Sequence, residues 1–155
     1  MKPILSNPKH GWCIFCLQDA TQTFAITPSY LTDVMFDTLY AIQSYLLSGI
    51  SVVKYDCEEY GEIIFIINQM TCYVISDEND IMNINRTKTQ EFNITGIDVC
   101  KNLLQCFETN LNKWIDFAIF TDTKEDYENE FQQKAKEYEQ LKTNIINILT
   151  ERNQL

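Results

Sequence analysis

The sequence predicts an α+β fold of two layers: an antiparallel β-sheet meander with three helices packed mainly on one face. Three observations predict it. Short apolar and β-branched runs are separated by tight turns, so each pairs with its neighbour and no parallel crossover is needed. Three longer stretches repeat apolar residues at three- and four-residue spacing, the helical period. The units come in the order hairpin, helix, meander, helix, helix, which groups the strands and leaves the helices to cover one side of them. The chain is read as a single domain, 1–155, and its 45% hydrophobic content is enough to fill a core.

Trp12-Cys13-Ile14-Phe15-Cys16-Leu17 reads as a buried strand, and Asp19-Ala20-Thr21 as a turn into an antiparallel return over Thr23-Phe24-Ala25-Ile26. Thr27 and Pro28 are a helix-start signal, a cap followed by a residue suited to the first helical position. Leu31, Val34, Met35, Leu39, Ile42 and Leu46 make the stripe of that helix, and Gly49 stops it. Strands follow at 51–55, 62–67 and 71–75, with a further pair at 81–85 and 91–94. Asp98 is the expected cap of a second helix whose stripe runs Val99, Leu103, Phe107, Leu111, Trp114 and Ile115. After a loop at 121–123, a third helix aligns Phe131, Ala135, Tyr138, Leu141, Ile145, Ile148 and Leu149.

The balance of 12 basic against 22 acidic residues gives a formal charge of −10. That argues against direct binding of nucleic acid, which needs a basic face, and against an anionic membrane surface. It suits a basic protein partner. The opening residues carry no apolar signal core, and the longest apolar runs, such as Ile63 to Ile67, are too short to cross a bilayer, so the expected location is cytoplasmic. The six cysteines are then expected to be reduced.

No catalytic, cofactor or metal motif is evident, and none of these is expected. Trp12-Cys13-Ile14-Phe15-Cys16 has the outline of a thioredoxin-type redox motif. That motif opens a helix, whereas this segment reads as a strand with its two thiols on opposite faces. The remaining cysteines and the single histidine, His10, lack zinc-site spacing. Asp33 and Asp37, one helical turn apart, read as a solvated helix face, with an acid/base or metal-binding pair as the alternative.

The charge is unevenly spread. Residues 55–80 contain seven acids and no base: Asp56, Glu58, Glu59, Glu62, Asp77, Glu78 and Asp80. In an up-and-down meander both acidic turns fall at the same end of the sheet, giving a negative field at one edge. Tyr55 and Tyr60 flank the first turn, and tyrosine is enriched at interfaces. The expected partner-binding set is therefore Asp56, Glu58, Glu59, Tyr60, Glu62, Asp77, Glu78 and Asp80. A second acidic region, 121–140, opens the third helix, where the helix dipole favours Glu125, Asp126, Glu128 and Glu130.

The stretch Phe24-Ala25-Ile26-Thr27-Pro28-Ser29-Tyr30-Leu31-Thr32-Asp33 is similar to a segment of small bacterial proteins. As a small acidic chain without a catalytic motif, this protein resembles the immunity proteins of polymorphic toxin and contact-dependent growth inhibition systems. The resemblance implies neutralisation of a toxin domain, often a basic nuclease, by covering its active site. It brings over no functional residue. Two other readings stay open: an enzyme of unfamiliar class using Asp33, Asp37 or a cysteine, and an adaptor that uses the striped third helix.

Overall fold

The computed structural model describes residues 1–79 and 85–152. Strands β1 (Leu5–Lys9), β2 (Trp12–Gln18) and β3 (Thr23–Ile26) form one antiparallel sheet in the order β1-β2-β3. Strands β4 (Ile50–Asp56), β5 (Glu62–Asn68), β6 (Cys72–Asn79) and β7 (Asn85–Phe92) form a second, in the order β4-β5-β6-β7. Helix α1 (Val34–Ser48) joins the sheets; α2 (Gly96–Thr109), α3 (Leu111–Asp116) and α4 (Lys124–Glu151) follow the second. The fold is α+β and its sheets are antiparallel, as the sequence predicts. The strands divide between two sheets instead of one, and the described residues form four helices instead of three. Residues 81–84 of the expected strand at 81–85 lie outside the described residues; the expected second member at 91–94 is instead the end of one continuous strand, Asn85–Phe92, paired with β6.

Alternation within the strands fixes what faces the core. In β2, Cys13, Phe15 and Leu17 are buried while Ile14 and Gln18 are exposed. In β5, Ile63, Phe65 and Ile67 are buried. The ring of Phe15 lies 5.2 Å from that of Phe65 and 5.6 Å from that of Tyr55, so the two sheets meet through this residue. Helices α1 and α2 pack on the same inner face of the four-stranded sheet. The stripe of α4, Tyr138, Leu141, Ile145 and Leu149, is buried within the fold, with α1 its main neighbour.

Three helix boundaries differ from expectation, the first through tertiary hydrogen bonds and the other two through short-range ones. Thr27 and Pro28 do not start α1. The carbonyl of Pro28 accepts from Cys13 N at 3.1 Å, Ser29 N donates to Asp56 O at 2.8 Å, and Tyr30 N donates to Gly11 O at 2.7 Å, so both sheets hold this segment extended. Asp33 caps the helix instead, accepting from Phe36 N, and Leu31 is exposed rather than part of the stripe. Asp98 does not cap α2. Thr95 does, accepting from Asp98 N at 3.3 Å and donating its hydroxyl proton to Asp98 Oδ2 at 2.7 Å. The stripe through Leu111 and Trp114 is broken at Asn110, where the buried Trp114 indole donates to the Cys106 carbonyl at 3.1 Å and satisfies a helix-end acceptor.

The β2–β3 turn ties the smaller sheet to the end of β7. The Asp19 carboxylate accepts from Thr21 N, Thr21 Oγ1 and Gln22 N, and across the molecule from Asn93 N at 3.0 Å. These hydrogen bonds hold its carboxyl at about 2, below the ordinary value of 3.8. A depressed carboxyl stabilises the fold above its unfolded-state pKa and loses that contribution as pH falls through the folded one. Asp19→Asn is therefore expected to lower the thermal midpoint at pH 6, and the gap from the parent should narrow between pH 4 and pH 2. A gap independent of pH in that window would show the carboxylate charge to be idle.

Candidate functional site

The β4–β5 connection builds the acidic end of the larger sheet. Asp56 pairs with Glu62 in register, and the residues between them fold into a single 3-10 turn over Glu58–Tyr60. Cys57 N donates to Gly61 O at 2.8 Å, and Gly61 N donates to Glu58 O at 3.0 Å. Asp56 Oδ1 accepts from Glu58 N at 2.7 Å, so this carboxylate is used to shape the turn. Glu58 takes a left-handed conformation, φ 52°, which is strained for a residue with a Cβ. The result presents Glu58, Glu59 and Tyr60 to solvent, with Tyr60 66% exposed. Beneath the turn Cys57 is fully buried, and burial, reinforced by the Asp56 charge, pushes its thiol up to about 12.

The register brings the second acidic segment to the same end. Ile63 pairs with Ser76, and Asp77 lies one step beyond, paired with Thr87 of β7. Gly61 sits against it: a Cβ there would lie 3.6 Å from Asp77 Oδ2. Asp56, Glu62 and Asp77 have the alternation of the outer face, away from the helices, and Asp77 is exposed. Lys54, just before the acidic segment, forms an ion pair with Glu62 at 2.8 Å and offsets part of its charge. Glu78 continues β6 opposite Arg86 in register. Its side chain, and Asp80 altogether, lie outside the described residues.

Tyr55 is a correction to the expected set of flanking aromatics. It is wholly buried, and its hydroxyl lies 2.7 Å from Thr38 Oγ1, so it belongs to the core and only Tyr60 faces outward. Asp33 and Asp37 are not a free acid pair. Asp33 caps α1 and forms an ion pair with Lys134 of α4, whose ammonium also lies 5.0 Å from the centre of the Phe36 ring. Partial burial, then the Asp33 charge, raises the Asp37 carboxyl. Cys13 is buried and Cys16 half-buried on the other face of β2; desolvation drives the Cys13 thiol well above the ordinary range. Among the described residues, no three His, Cys, Asp or Glu side chains gather closely enough to hold a metal ion. Nor is any described helix long and apolar enough to cross a membrane. A cavity of about 250 Å³ between β1 and α2 is lined by amides, hydroxyls, apolar side chains and Cys106, without a carboxylate, imidazole or lysine amine.

The outer face of the larger sheet also carries apolar side chains. On the outer face, Val52, Ile66 and Tyr73 are cross-strand neighbours in one row, and Ile64 and Ile75 in the next. None of these side chains belongs to the core cluster or packs against it. The sequence signal is the run Ile63-Ile64-Phe65-Ile66-Ile67, apolar on both faces where a half-covered strand would alternate. Compared with protein-family models, curated proteins and solved structures, the chain matches none.

Proposed function

We propose that this chain is a binding protein that acts in the cytoplasm and neutralises a basic protein partner, in the manner of an immunity protein covering the active site of a nuclease-type toxin domain. It acts by occlusion rather than catalysis, and binds neither nucleic acid nor membrane. One observation supports this above the others. The carboxylates of Asp56, Glu58, Glu59, Glu62 and Asp77 share one end of a rigid sheet with the exposed ring of Tyr60. A nuclease holds phosphate with cationic side chains, so a fixed array of carboxylates competes for the same surface. The strained turn at Glu58 fits a segment retained for presentation rather than stability. An aromatic ring amid the charges supplies apolar area at small entropic cost.

The test is binding to the product of a neighbouring gene that encodes a basic toxin domain. The combined substitution Glu58→Lys, Glu59→Lys and Asp77→Lys should leave the thermal midpoint within a few degrees of the parent, since all three side chains are exposed. It should slow association by roughly 10- to 100-fold at low ionic strength, with a smaller change in dissociation. An unchanged association rate would remove the acidic end from the interface.

A further inference from the structure

Resting on that reading, we infer that the outer face of the four-stranded sheet is part of the same docking surface, and that its occupant is an apolar patch of the basic partner bordered by lysine or arginine. The face presents Ile50, Val52, Ile64, Ile66, Tyr73 and Ile75. Ile50 and Val52 are more than half exposed, and the other four are half-buried and, among the described residues, stand apart from the core cluster. Strand β5 has the composition of a strand covered on both sides, yet helices cover only one. An apolar patch of this kind marks an interaction site.

Charge decides between occupants. The apolar rows run directly into the row holding Asp56, Glu62 and Asp77, and Glu91 closes the row of Val52, Ile66 and Tyr73 at its far side; Lys54, which ends the row of Ile64 and Ile75, is itself paired with Glu62, so the border stays net negative. Two copies of a chain of formal charge −10 repel, whereas a partner with cations around an apolar centre complements the whole surface. Area agrees with this. Four strands about 4.8 Å apart, each about seven residues at roughly 3.4 Å rise, span on the order of 450 Å². A stable interface covers about 800 Å² on each partner. That sheet face, with its row of Asp56, Glu62 and Asp77 included, is too small alone, and the turn of Glu58, Glu59 and Tyr60 beyond it adds further area.

The probes are two short peptides of equal length and charge, one alternating lysine with leucine and the other lysine with serine. The protein variants are Ile64→Thr/Ile66→Thr/Ile75→Thr, which keeps the β-branched shape that strands favour, and Val52→Thr at the exposed edge. The parent should bind the leucine peptide roughly tenfold more tightly than the serine peptide and sediment as a monomer. The triple variant should erase that preference and Val52→Thr should reduce it; if the triple variant fails to fold, Val52→Thr decides alone. Equal affinity of the parent for both peptides overturns the inference and leaves the acidic end intact. Binding of neither peptide removes the acidic-end reading along with this one. A parental dimer that the threonine variants dissolve would make a second copy the occupant, and overturn the inference too.

Discussion

Phe15→Ala is expected to lower the unfolding free energy by roughly 3–5 kcal/mol. The ring is fully buried, and its neighbours are Phe24 at 6.2 Å on its own sheet and Tyr55 and Phe65 on the other. Truncation therefore leaves a cavity walled by two sheets, and hydrogen-bonded sheets close only partly over such a gap. For a chain of this size each kcal/mol shifts the thermal midpoint by about 2–4 °C, so the fall should be roughly 6–20 °C. Thermal denaturation followed by circular dichroism measures it. A loss below about 1 kcal/mol would mean that the sheets do not depend on this contact.

Gly96→Ala should also destabilise, by roughly 3 kcal/mol, although alanine is the better helix former by about 1 kcal/mol. Gly96 opens α2, where the helix passes closest to the end of β5. A Cβ there would lie 2.5 Å from the Asn68 carbonyl oxygen and 2.5 Å from the Tyr45 ring. Both distances are well inside van der Waals contact, and the carbonyl is backbone that cannot rotate away. In a Tyr45→Ala background, itself destabilised by the lost core ring, the added cost of Gly96→Ala should be smaller but not zero, because the Asn68 contact remains. A substitution that raises the midpoint would show that helix preference governs the position, contrary to this packing.

The strands at 12–18, 23–26, 50–56 and 62–68 were legible because turns and β-branched runs are local signals that tertiary contacts here reinforce. Strand β1 was not: Leu5-Ser6-Asn7-Pro8-Lys9 contains a proline, a left-handed Asn7 and a register shift, features that only an edge strand tolerates. The start of α1 was hidden because bonds to distant segments decide it, Cys13 N donating to Pro28 O and Ser29 N to Asp56 O, and the break at Asn110 because the Trp114 indole donates back to the Cys106 carbonyl. In the candidate site, the shared end of Glu58, Glu59 and Asp77 follows from counting strands. The burial of Tyr55 follows from its parity with Val53, and the offsetting of Glu62 by Lys54 needs the register. The outer apolar face stood in the sequence as an unalternating run, but which side the helices would leave bare depends on packing.

A partner docked on the acidic end of the larger sheet, as proposed, would shield particular carboxylates. Carbodiimide labelling of exposed carboxylates, compared between the free chain and its complex with a basic toxin domain, reads that surface residue by residue. Glu58, Glu59 and Asp77 should lose most of their labelling on binding, while Glu125 and Glu151, exposed on α4, should keep theirs. Protection of the α4 carboxylates, with Glu58, Glu59 and Asp77 labelled as in the free chain, would contradict it.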